Sequence, residues 1–147
     1  MPLLYADTSA IVGAYLSDEP DHETLNRMLL SGDDPIVTSQ LSVVEFGSAM
    51  ARAHRANRIA KPEDKMAEFV ADCSDQGVFN VVAITSKTIL PLAQKLVMDH
   101  HLGALDAVHL STALIEAIAV SGGDNVAMVT RDERQATAAK ACGLRVL

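Results

Sequence analysis

Short, largely β-branched apolar runs alternate with longer stretches of helical period along almost the whole chain, and this alternation constrains the fold more than any other feature. Residues 3–6, 36–38, 81–84, 126–130 and 145–147 read as strands. Helical spacing falls on 8–16, 21–30, 41–58, 62–76, 88–101, 104–120 and 132–142. Thr8 or Ser9 is placed to cap the first helix, Ser31-Gly32 closes the second, and Pro62 suits a first helical turn. Gly103 separates two helices, the Gly122-Gly123-Asp124-Asn125 turn precedes a strand, and Gly143 stops the last helix. Strands alternating with helices predict an α/β fold whose central, mostly parallel sheet is flanked by helices on both faces. No repeat, low-complexity segment or linker breaks the pattern, so a single domain over residues 1–147 is expected.

The composition supports a packed core: 49% of the 147 residues are hydrophobic and 21% are charged. Cys73 and Cys142 are far apart and outside any C-x-x-C pair, so both are expected as small buried hydrophobes in a reducing, cytoplasmic setting. The segment from Met1 to Asp7 has no basic start and no long apolar run, so no secretory signal is expected there. The most apolar stretch, 102–120, carries Asp106, His109 and Glu116, which predicts a buried core helix and no membrane span.

Four acids stand where such a sheet can use them. Asp7 follows the first strand and Asp132 follows the strand at 126–130. Ligands of open α/β sheets bind outside the carboxyl ends of strands, where the strand order switches. Glu45 and Asp106 lie on helices, each among apolar neighbours. Simpler roles are open to each of them. Asp7 can cap a helix, Asp132 with Gln135 has the spacing of a capping box, and Glu45 can sit on a solvated face. Asp106 is the hardest to place that way, because a carboxylate on a nearly all-apolar helix is costly unless paired, protonated or metal-bound. If the four converge, an all-oxygen site for a hard divalent ion such as Mg²⁺ or Mn²⁺ results. Phosphodiester cleavage is chemistry that needs such ions.

Tyr5-Ala6-Asp7-Thr8-Ser9-Ala10, Ser42-Val43-Val44-Glu45-Phe46, Leu105-Asp106-Ala107-Val108-His109-Leu110 and Val129-Thr130-Arg131-Asp132 together resemble the PIN-domain proteins, and within them the VapC toxins. Their order and spacing span essentially the whole chain. The resemblance implies a Mg²⁺- or Mn²⁺-dependent endoribonuclease. By position, Asp7, Glu45, Asp106 and Asp132 match the family's acidic cluster as catalytic and metal-holding residues, and Ser9 and Thr130 match its supporting hydroxyls. Asp7, Glu45 and Asp106 would coordinate metal directly or through water, and Asp132 would hold a second ion or a water. Metal-activated water would leave a 5′-phosphate and a 3′-hydroxyl. A VapB-like antitoxin, a homodimer and a cytoplasmic setting also follow from the resemblance. The stretch Glu133-Arg134-Gln135-Ala136 departs from the pattern by lacking a hydrophobic or aromatic residue.

The formal net charge of −7 runs against nucleic-acid binding, which is more often the work of basic proteins. Five of the twelve Lys and Arg residues fall between positions 52 and 65: Arg52, Arg55, Arg58, Lys61 and Lys65. Arg52 follows Glu45 by seven residues and shares its helix face, so Arg52 and Arg55 are candidate contacts for an RNA backbone. A solvated helix face is the other reading of the same run. Five aromatic residues without Trp argue against a base-stacking platform. Adjacent His100 and His101 point about 100° apart on a helix and do not suit one ion. His109, three residues after Asp106, is either a satisfied core histidine or a hydrogen-bond partner of the site. No G-x-x-x-x-G-K-[ST] or G-x-S-x-G element is present. The competing readings are a Mg²⁺-dependent phosphotransfer domain, receiver-like or haloacid-dehalogenase-like, and a non-catalytic PIN-like interaction module. A receiver would need an acidic pair after the first strand. A dehalogenase-like site would need Asp-x-Asp, and Ser9 stands at its third place.

Overall fold

The computed structural model describes residues 1–123 and 125–147. The turn expected from Gly122 to Asn125 includes Asp124, which lies outside the described residues. The chain runs β1 (Leu3–Ala6), α1 (Thr8–Tyr15), α2 (His22–Leu30), β2 (Ile36–Ser39), α3 (Leu41–Arg55), α4 (Pro62–Asp72), β3 (Phe79–Val82), α5 (Ser86–His100) and α6 (Ala104–Thr112). A π-helical stretch (Ala113–Ala117) continues α6 into α7 (Ile118–Ser121). β4 (Val126–Val129), α8 (Glu133–Ala141) and β5 (Arg145–Val146) complete the order. The strands form one sheet in the order β3-β2-β1-β4-β5, and every pairing is parallel. The chain leaves β1 toward β2 on one side and later returns to β4 on the other. The switch in strand order therefore lies between β1 and β4, and it opens a crevice at their carboxyl ends. This order differs from the 2-1-3-4-5 order of receiver domains, which removes that alternative.

Period-2 alternation sends each strand's side chains to two faces. Leu4, Ala6, Ile36, Phe79, Ala127 and Val129 pack with buried residues of α1 to α4. Leu3, Tyr5, Val37, Val126 and Met128 pack with buried residues of α5, α6 and α8. Four of the five aromatic residues gather on the first face. Phe69 meets Phe46 at 4.5 Å between centroids, Phe79 at 5.6 Å and Tyr15 at 5.7 Å. Tyr5 alone occupies the other face, where its ring meets that of His109 edge-on.

The segment Ala104–Ser121 is long and apolar enough to cross a membrane by composition, with a mean hydropathy of 1.4. Its inward residues Ala107, Leu110, Ala113 and Ala117 are fully buried in the core on the second face, while Leu105, Ile118 and Val120 are exposed.

Several bounds differ from the sequence pattern for identifiable reasons. The third strand begins at Phe79 and ends at Val82, not at 81–84, because Phe79 is drawn into the aromatic cluster. The helix expected over 41–58 stops at Arg55, and Asn57 turns to a positive φ of 57°. The helix expected to reach 76 stops at Asp72. The first helix is capped by Asp7, whose carboxylate accepts from the Ala10 N–H, and Thr8 is already its first residue. Neither cysteine is fully buried. Both are free and half-exposed, and partial burial pushes the Cys73 thiol up to about 11.

Phe69→Ala should cost about 3–5 kcal/mol in urea unfolding, the usual loss for a fully buried phenylalanine. A cost below about 1 kcal/mol would mean that the aromatic cluster does not hold α4 on the sheet.

Candidate functional site

The crevice between β1 and β4 receives all four acids from different elements. Asp7 ends β1 and caps α1, and it is 3% exposed. Its Oδ1 accepts from the Ser9 hydroxyl at 2.7 Å and from the Ala10 N–H at 3.1 Å. Its Oδ2 accepts from the Thr130 hydroxyl at 2.5 Å. Burial pushes the Asp7 pKa up, and these three donors act against that rise. Ser9 and Thr130 thus both donate a hydroxyl to the Asp7 carboxylate.

Asp132 caps α8, with its Oδ1 accepting from the Gln135 N–H at 2.9 Å. Its own N–H donates to the Thr130 hydroxyl at 3.1 Å. Only half of the expected capping box forms, because the Gln135 side chain turns away and donates to the Asp106 carbonyl at 2.9 Å. Gln135 is fully buried, so it fills a place in this stretch where an apolar side chain was expected. Its Oε1 has no hydrogen-bond partner among the described residues. Residue spacing alone did not reveal this bridge between α8 and α6. The signal was a polar residue at a buried helix position.

Glu45 lies on the face of α3 that looks back to β1. The Thr8 hydroxyl donates to its Oε1 at 2.8 Å, and His109 Nε2 lies 2.5 Å from the same oxygen. Partial burial would raise its pKa, but His109, Thr8 and Arg52 together hold it below the usual value. Arg52, which donates to Ser48 at 2.9 Å, therefore shares the Glu45 face, as its spacing predicted. Arg55 is exposed on the same helix. Arg58 and Lys65 do not extend a basic track, because Arg58 pairs with Asp18 and Glu19 and Lys65 with Glu68. Thr8 was read only as a possible cap, and its contact with Glu45 emerges from the fold.

Asp106, in the first turn of α6, is half-buried. No donor reaches its carboxylate among the described residues. Burial raises its pKa, then the charges of Asp132, Asp7 and Glu45 raise it further, while His109 acts the other way. The four acids therefore converge on one region, and Asp106 feels the other three. Their oxygen donors suit a hard divalent ion, and the Asp106 carboxylate, which has no hydrogen-bond donor among the described residues, is the acceptor most in need of one. Among the described residues, however, no three metal-ligating side chains already stand close enough to enclose an ion. Enclosing an ion therefore takes side-chain movement within the cluster.

The raised Asp106 pKa fixes the sign of a pH effect. The folded state binds this proton more tightly than the unfolded state, so its contribution to stability is full in acid and is lost as pH rises through the raised value. In chelator, Asp106→Asn should match the wild type in acid. Above the ordinary carboxylate range it should become the more stable of the two. Thermal melts across pH measure this, and a gap opening in the opposite direction would mean that Asp106 is stabilised by a partner.

The sequence profile of the PIN domain matches residues 4–141. Ribonuclease VapC45 of Mycobacterium tuberculosis (strain CDC 1551 / Oshkosh) is 30% identical over 146 residues, covering 99% of this chain and 95% of that protein. Ribonuclease VapC49 of Mycobacterium tuberculosis (strain ATCC 25618 / H37Rv) is similar to the same extent. The aligned lengths are nearly complete on both sides, and the sheet is wholly parallel. The chain belongs to the PIN domain family, on its VapC branch.

Proposed function

We propose that this chain is a divalent-metal-dependent endoribonuclease, the toxin of a VapBC-type pair, acting as one catalytic domain in the cytoplasm. The observation that carries the reading is Asp106: a half-buried carboxylate facing three others, with no donor of its own. Such a group calls for a cation. Mg²⁺ or Mn²⁺ is the ion that an all-oxygen set suits, held by Asp7, Glu45, Asp106 and Asp132. The ion, when bound, activates water for attack on the phosphodiester and stabilises the leaving oxygen, giving 5′-phosphate and 3′-hydroxyl ends. The protein's own contribution is positional. Ser9 and Thr130 fix both oxygens of Asp7, Gln135 ties Asp132 to α6, and Thr8 and His109 direct Glu45. Arg52 and Arg55 on α3 are the cations proposed to meet the RNA backbone beyond Glu45.

Two exposed apolar residues support a partner near this crevice. Val44, 72% exposed, adjoins Glu45, and Leu105, 51% exposed, adjoins Asp106. Apolar side chains beside buried acids suit a protein segment that carries a basic residue with apolar neighbours, as a VapB-like antitoxin would supply. A homodimer is part of the same proposal.

Purified protein should cleave RNA with Mn²⁺ or Mg²⁺ and not in excess chelator, and Asp106→Asn or Glu45→Gln should lower the rate at least 100-fold, on the order of one lost charge-stabilising group. In the binding assay, replacing Arg52 and Arg55 with Ala should flatten the salt dependence by roughly 1.4 in log–log slope, the release expected from two phosphate contacts on a single strand. Cleavage undiminished by chelator would end the metal-dependent reading, and an unchanged slope would return the two arginines to a solvated face. For the partner, co-expression with the product of the adjacent gene should give a co-purifying complex without nuclease activity. Failure to co-purify, with no growth defect from this chain alone, would end the toxin assignment.

A further inference from the structure

His109 lies one turn beyond Asp106 on α6 and is only 2% exposed, yet both of its ring nitrogens face polar groups. Nδ1 meets the Tyr5 hydroxyl at 2.8 Å. Nε2 meets Glu45 Oε1 at 2.5 Å, with the Thr8 hydroxyl 3.2 Å away. The proton positions follow from what each neighbour can do. An ionised carboxylate only accepts, so the nitrogen against Glu45 must carry hydrogen. In a neutral ring with hydrogen on Nε2, Nδ1 accepts, and the Tyr5 hydroxyl 2.8 Å away is the donor that faces it. The chain of donation therefore runs from Tyr5 to His109 to Glu45.

We propose that His109 is a positioning residue of the metal centre, its ring held at Nδ1 by Tyr5 so that Nε2–H is aimed at Glu45. The inference rests on the metal-nuclease reading above. The argument is geometric. Glu45 stands on a half-exposed helix face and reaches the cluster through a flexible side chain, so it needs an anchor on the opposite wall of the crevice. α6 supplies that anchor one turn from Asp106, which couples the placement of two of the four acids through one helix. Tyr5 lies two residues before Asp7 on β1, so the strand that presents the first acid also orients the group that holds the second. A histidine retained only to fill the core would not need a donor aimed at a carboxylate of the site.

Two substitutions of similar size separate positioning from packing. Glutamine places an amide N–H near the ring Nε2 position, and asparagine places one near Nδ1. His109→Gln therefore keeps the donor to Glu45, while His109→Asn loses it. Mn²⁺ binding by calorimetry should weaken 10–100-fold in His109→Asn, the range for lost partners of metal ligands, and stay within a few-fold of wild type in His109→Gln. Tyr5→Phe removes a single oxygen and should weaken Mn²⁺ binding by a smaller factor. If His109→Asn melts too low for binding to be measured, this variant carries the test. A second readout needs no metal: ring ¹⁵N resonances should show His109 carrying hydrogen at Nε2 in the wild type and in Tyr5→Phe. Equal Mn²⁺ affinity in His109→Asn, His109→Gln and wild type, an unchanged affinity in Tyr5→Phe, or a His109 ring without hydrogen on Nε2 would overturn the proposal and leave the nuclease reading intact. A wild type that takes up no Mn²⁺ would overturn both.

Discussion

Like charges crowded at the end of a parallel sheet repel one another, and much of the local structure acts to offset that repulsion. Asp7, the most deeply buried of the four acids, receives three donors, two from hydroxyls and one from the backbone of α1. Glu45 receives two partners, and Asp132 satisfies the start of α8. Asp106 receives none, so the unbalanced charge of the crevice is concentrated on it. A site whose acids were all hydrogen-bonded would be comfortable without a cation, whereas one left short in this way is primed for it. The sheet sets this arrangement: the pairing of β1 with β4 brings Ala6 beside Val129, and the residues that follow them, Asp7 and Thr130, inevitably meet.

The four charges also change how the formal net charge of −7 should be read. A large part of the negative excess belongs to one crevice, where divalent ions would neutralise it by simple counting. The basic residues are not pooled into a stripe. Arg58 and Lys65 spend their charge on neighbouring carboxylates, and Arg131 bridges the Thr130 and Leu147 carbonyls to Asp21. Attraction of a polyanion to this surface therefore depends on few cations and on the metal, not on a broad positive field.

The fold was legible because alternation of short apolar runs and amphipathic helices is a global pattern that survives local error. The sites of error are informative. The third strand starts two residues earlier than its β-branched run because aromatic packing of Phe79 outweighs local propensity. The first acids were legible through their position after strands, and Glu45 and Asp106 through carboxylates set among apolar neighbours. The resemblance to the family joined them. What spacing could not supply was partnership across the chain: Thr8 with Glu45, Gln135 with Asp106, and Tyr5 with His109 are separated by 37, 29 and 104 residues. Contacts of that kind are legible only when the sheet order is known, and Thr8, Gln135 and Tyr5 do not belong to types that mark themselves as functional.

Asp7 and Asp132 each cap a helix as well as joining the cluster, whereas Glu45 and Asp106 cap nothing. This division of labour bears on how such a protein decays. In a copy freed from the need to cut RNA, loss of Asp106 would relieve repulsion and leave the fold at least as sound. Loss of Glu45 would strand the buried His109 donor, and loss of Asp7 or Asp132 would unseat a helix at a typical cost near 1 kcal/mol. Drift would erase Asp106 first and leave the other three acids standing. A gene retaining all but Asp106 would thus be the fossil of an enzyme, and Asp106 is the better mark of one still at work.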